Sequence, residues 1–102
     1  MKKIKELAEH IQEELCDAEE YAKAAILYKD DDKELADMYA SLSRQEIEHS
    51  HTEHEQVVRM IRDYRNAGNI PQESMMAVWD YLHEKMIQHE AGVNSLLDMY
   101  RR

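Results

Sequence analysis

Three side chains near the middle of the chain have the types and spacing to do chemistry. Glu46, His49 and Glu53 stand at i, i+3 and i+7 in Arg44-Gln45-Glu46-Ile47-Glu48-His49-Ser50-His51-Thr52-Glu53. On a helix that spacing places a carboxylate, an imidazole and a second carboxylate on one face. Leu35, Tyr39, Leu42, Val57, Met60 and Tyr64 share the stripe, so the polar trio interrupts a seam expected to be apolar. Unpaired charges buried in such a seam are costly. Protonation, mutual pairing, water or a divalent cation must offset them. A carboxylate and an imidazole one turn apart can ligate one metal ion or two adjacent ones. The carboxylate then bridges and the imidazole binds terminally. Mixed oxygen and nitrogen donors suit iron or manganese, with zinc as a further option.

The elements that position this trio read as three helices. The first covers about residues 3–29, with Ile4, Leu7, Ile11, Leu15, Ala18, Ala22, Ala25 and Ile26 as its apolar arc. Glu14 falls inside that arc, between Leu7 and Tyr21, at about 100° per residue. Glu14 is therefore either a boundary residue snorkelling to water or a fourth inward-facing ligand. Asp30-Asp31-Asp32-Lys33-Glu34 follows. It reads as a helix cap, with Asp31 and Glu34 spaced as a capping box. A connection this short sets the first two helices antiparallel and adjacent.

The second helix covers about residues 32–66, near 50 Å at about 1.5 Å per residue. A second apolar face carries Ala36, Ala40, Ile47, Val58 and Ile61, so the helix is expected to touch more than one neighbour. Gly68 and Pro71 mark the next break. The third helix covers about residues 71–100, with Met75, Val78, Trp79, Leu82, Met86, Val93, Leu96, Leu97 and Tyr100 as its core arc. His89 and Glu90 fall within that arc and His83 at its edge, while Gly92 suggests a close crossing or a mild kink. Of the remaining histidines, His51 is expected in solvent and His54 at a packing or interface position.

Composition agrees with an all-α chain. The 102 residues include 2 Gly, 1 Pro and no Phe, and 43% are hydrophobic. That supports a single domain over residues 1–102. The formal net charge of −9 disfavours nucleic acid, which needs clustered Lys and Arg, and favours cations. The lone Cys16 excludes an intrachain disulfide and a cysteine zinc site and reads as a small packing residue. No apolar run approaches the roughly 20 residues of a membrane span. The basic start, Met1-Lys2-Lys3-Ile4-Lys5-Glu6, leads into acids rather than an apolar segment and does not read as a signal peptide. A reducing, cytoplasmic setting is expected.

Helical bundles build di-iron and di-manganese sites from Glu-x-x-His elements and lone glutamates on neighbouring helices. Here Glu14, followed seven residues later by Tyr21, then a short turn, Leu35, Leu42 and Glu46-Ile47-Glu48-His49, resembles the ferritin-like superfamily. The likeness is to the helix pair of rubrerythrins and bacterioferritins and covers about residues 4–66. It implies iron ligation by Glu14, Glu46 and His49, with Tyr21 nearby, and a ferroxidase-type activity using O₂ or peroxide. Glu53 would be a further ligand or an entry-site acid. Full ferritin-like domains carry four helices and two Glu-x-x-His elements, whereas this chain has three helices and one element. A homodimer, as in the short encapsulated ferritins, or a higher homo-oligomer would complete the site across a two-fold axis. Alternatively Glu90 or His89 completes it within one chain. The competing reading is a metal-free helical interaction module, whose buried polar residues set register and partner choice.

Overall fold

A run of seven-residue spacing controls how the helices meet. The computed structural model describes residues 2–102 and contains α1 (Lys2–Tyr28), α2 (Lys33–Asn66) and α3 (Glu73–Arg101). They form a rod of 57 × 18 × 18 Å. Among the described residues there is no strand, and no helix is long and apolar enough to cross a membrane. On α1 the buried row is Ile4, Ala8, Ile11, Leu15, Ala18, Ala22 and Ala25. On α2 it is Ala36, Ala40, Ser43, Ile47, Ser50, Val57 and Ile61. Alternating steps of three and four residues keep each row on one face and let side chains interdigitate along the full helix pair.

This α2 row differs from the stripe expected to be the main seam. Leu35, Tyr39, Leu42, Glu46, Glu53, Met60 and Tyr64 are only half-buried, and His49 is exposed. The core has taken the second face instead, with Ser43 and Ser50 standing in for apolar residues. The reason is size. Ala18, Ala22, Ala25, Ala36 and Ala40 are all at most 1% exposed, and such small side chains let two helices approach closely. Ser43 fits the same stripe because its hydroxyl donates to the Ala18 carbonyl at 2.7 Å. Val58 is 47% exposed and Val78 58%, so neither joins the core assigned to it from periodicity. Cys16 faces solvent, one residue past the buried Leu15.

α1 is the shared partner. It packs along α2 and against α3, whereas the backbones of α2 and α3 approach at few points. Two apolar clusters result. Ala18, Ala22, Ala25, Ala36, Ala40, Ile47, Val93, Leu97 and Tyr100 form one. Ile4, Ala8, Ile11, Leu15, Val57, Ile61, Trp79 and Met86 form the other. Tyr100 fastens the first cluster to the start of α2 by donating its hydroxyl to Asp37.

The ends of the helices follow local chemistry. The N-cap of α2 is Asp32, whose carboxylate accepts from the Leu35 amide at 3.1 Å. Asp32, not Asp31, fills the cap, so Glu34 stands one position too early for a reciprocal box. Gly68, at φ 85°, terminates α2. Its amide donates to Arg65 and that of Asn69 to Tyr64, the paired closure that favours glycine. α3 begins at Glu73 after the cap residue Gln72, so Pro71 precedes the first turn instead of occupying it. Gly92 is exposed, and a β-carbon there would meet nothing within 4 Å; it mediates no close crossing. The same substitution therefore has opposite effects at the two glycines. Gly92→Ala should raise the unfolding free energy by about 1 kcal/mol, and Gly68→Ala should lower it by about 1 kcal/mol, both read from urea midpoints.

Candidate metal centre

Antiparallel packing of α1 on α2 brings Glu14 opposite the Glu46–Glu53 segment. One ligand atom from each of Glu14, Glu46 and His49 lies within 4.8 Å of the others. Glu46 Oε1 is 3.6 Å from His49 Nδ1, and the two side chains are 22% and 61% exposed. The cluster thus has a half-buried carboxylate floor and an imidazole reaching out from it. Glu53 stands beside Glu14, near enough for its carboxylate to raise the Glu14 pKa. One oxygen of each, Glu14 Oε2 and Glu53 Oε2, is buried without a hydrogen-bond partner.

The electrostatics follow from this crowding. Burial pushes the Glu14 carboxyl up from an ordinary 4.5 to about 7. The hydrogen bond and the charge of Glu53 add to the rise, followed by the charges of Glu46 and Asp17. Below about pH 7 Glu14 therefore holds a proton where a cation could sit. Buried, unpartnered oxygens beside like charges are an arrangement proteins rarely leave uncompensated. The donor set fits a divalent ion: the two carboxylates of Glu14 and Glu46 and the imidazole of His49, mixed oxygen and nitrogen ligands of the kind iron and manganese accept. Glu53 lies beside this group without joining it.

The remaining expected site residues lie elsewhere. Glu90 does not reach this cluster. α3 turns it to the opposite side of α2, where it accepts from His51 Nε2. His51, expected free in solvent, is thus paired although its side chain is 60% exposed. His89 faces Glu19 on α1, with His89 Nε2 to Glu19 Oε1 at 3.9 Å. Tyr21 stacks on Tyr39 at 6.1 Å between ring centroids, and Tyr39 in turn stacks on Tyr28. His54 packs against Trp79 and His83. Burial, and then the neighbouring imidazoles of His83 and His51, hold its basicity below the ordinary histidine value.

The His51–Glu90 pair and the His54–His83–Trp79 stack are not visible from helical periodicity within one helix. They depend on the rotation of α3 about its axis. No protein-family model, no curated protein and no solved structure matches the chain.

The raised Glu14 carboxyl has a defined consequence for pH. The folded protein binds this proton more tightly than the unfolded chain does. Stability from this group is full below about 4.5 and is lost as pH rises toward about 7. Relative to Glu14→Gln, metal-free wild type should therefore lose melting temperature across that window. The comparison removes the opposite contribution of His54, whose lowered basicity adds stability as pH rises. Both proteins are measured by thermal denaturation in chelator at several pH values.

Proposed function

We propose that this chain is a ferritin-like metal-carboxylate protein, with Glu14, Glu46 and His49 as ligands to iron and Glu53 beside them. The observation that carries the reading is the convergence of these side chains from two helices, with two buried carboxylate oxygens left without partners. A bound metal would supply Lewis acidity and one-electron redox chemistry, the basis of a ferroxidase-type oxidation by O₂ or peroxide. The chain's own residues would do the rest. Glu14 would release its proton to solvent as the cation binds, and Glu46 would orient the His49 ring through their contact. Manganese or zinc could occupy the same donors.

One chain offers about half of a di-metal site. Leu7, Tyr21 and Tyr28 on α1, with Leu35, Tyr39, Leu42, Met60 and Tyr64 on α2, are half-buried along the length of the helix pair, on either side of the cluster. This mixed stripe is where a second copy would pack, supplying Glu14, Glu46 and His49 again across a two-fold axis. A cytoplasmic, reducing setting with a supply of Fe(II) suits this reading. The same apolar rim also favours the alternative, a metal-free interaction module in which the acids fix register. Metal separates the two.

Protein purified from iron- and manganese-supplemented medium should carry about two ions per dimer, by elemental analysis combined with a solution mass. Fe(II) or Mn(II) should raise the melting temperature of the wild type and leave that of Glu46→Ala/His49→Ala unchanged, with helicity retained. Metal-free wild type that gains no more stability from Fe(II) or Mn(II) than the Glu46→Ala/His49→Ala variant does would overturn the proposal. A double variant that is more stable than the wild type without metal would support the register role.

A further inference from the structure

The opposite side of α2 carries a second group of residues with ligating side chains. They are arranged as two adjacent pairs whose ligand atoms, unlike those of Glu14, Glu46 and His49, do not yet meet at one point. His51 and His54, three residues apart, share a face of α2. His83 and Glu90, seven apart, share a face of α3. Because the helices run past each other, Glu90 meets His51 and His83 meets His54. His51 Nε2 bonds Glu90 Oε1, and the His54 and His83 rings stand 4.7 Å apart between centroids. All four residues line one cavity of about 140 Å³, closed at its base by Ile11, Leu15 and Met86. That is ample room for an ion with a water. Inside this region His54 Nε2 is buried and has no hydrogen-bond partner.

We propose that His51, His54, His83 and Glu90 form a second metal site, selective for a borderline divalent ion of the zinc class. Three imidazoles and one carboxylate supply four donors, the number and kind that Zn(II) takes in tetrahedral sites. The site by Glu14 is mainly carboxylate, so the two would sort metals by donor chemistry. His54 Nε2, buried without a hydrogen-bond partner, is the ring nitrogen free to take a ligand role. Binding needs the stacked His54 and His83 rings to rotate about their side-chain torsions from face-to-face to edge-on, and His51 to swing its Nε2 from Glu90 onto the shared ion. The exposed flank of His51 gives the ion its way in. Occupancy would tie α3 to α2, where their backbones otherwise approach at few points.

The test uses the full chain carrying Glu46→Ala/His49→Ala, so that failure of the first site has no bearing on the second. Titration with zinc chloride against a chromophoric chelator should show one Zn(II) per chain. His54→Gln and His83→Gln should each weaken it at least tenfold, with helicity preserved by circular dichroism. Co(II) in the same background should give the intense visible bands of four-coordinate cobalt. Imidazole ¹⁵N spectra of the background protein, which need no further substitution, should show His51, His54 and His83 shifting together as Zn(II) is added. Absence of stoichiometric Zn(II) in this background would overturn the proposal. So would binding that His54→Gln and His83→Gln leave unchanged, or spectra in which the His54 ring does not move.

Discussion

The register of α1 on α2 is the constraint on which the rest of the molecule depends. Alanines at positions 18, 22, 25, 36 and 40 set the spacing of the pair, and the Ser43 hydroxyl on the Ala18 carbonyl, at 2.7 Å, pins the axial offset. A one-turn slip would move Glu14 by about 5.4 Å along the axis and out of reach of Glu46 and His49. It would also drive larger side chains such as Leu15 and Ile47 against the alanine stripe. Overpacking of that kind costs about 1–3 kcal/mol per site. The candidate metal centre is thus positioned by packing that begins about one turn away from it, in a part of the helix pair that contains no ligand.

That packing also explains why the polar residues sit at mid-length. The two apolar clusters occupy the two ends of the rod. Between them runs a belt that includes Ser50, Glu14, Glu46, Glu53, His51, His54, His83 and Glu90. Ser50 solves its burial locally, donating to the Ile47 carbonyl at 2.6 Å. His51 and Glu90 solve theirs by pairing. Glu14, Glu53 and His54 do not, since each keeps a buried atom without a partner. These three atoms fall on two sides of the rod, and helix α2 contributes to both. The belt is therefore two separate polar problems that share one helix.

Helix number, the two breaks and the inward position of Glu14 were legible in the sequence because each rests on local chemistry. Asp and Gly punctuate the turns, and a 3.6-residue period places Glu14 among Leu7, Leu15 and Tyr21. The choice of core face on α2 was not. Leu35, Tyr39, Leu42, Met60 and Tyr64 are larger and more apolar than Ala36, Ala40, Ser43 and Ser50, so a reading by hydrophobicity selects the wrong stripe. The signal was present in spacing. Positions 36, 40, 43, 47, 50, 54, 57 and 61 alternate strictly by four and three, and small residues match small residues on α1. The positions of Glu90 and His89 were hidden for another reason. They are neighbours in sequence but point to different helices, Glu90 to α2 and His89 to α1. Only the rotation of α3 decides which goes where.

The misassigned stripe changes how the first site should be understood. Had Glu46, His49 and Glu53 lain in the main seam, their charges would have been enclosed by one chain and would have required compensation for folding itself. They lie instead at the shoulder of the α1–α2 pair, with His49 open to solvent, so the monomer tolerates them with Glu14 protonated. A partner that covers the half-buried rim would remove this access to water and bring a second set of three carboxylates against the first. Like charges at such range, in a low-dielectric contact, oppose association strongly, and a protein of net charge −9 already resists it. Divalent cations between the two sets reverse the sign of the interaction. On the proposed reading, assembly and metal binding on this face would be one equilibrium rather than two. Under that proposal, cations would have to neutralise the acids before a second copy could cover Leu35, Tyr39, Leu42, Met60 and Tyr64, which one chain leaves half-buried.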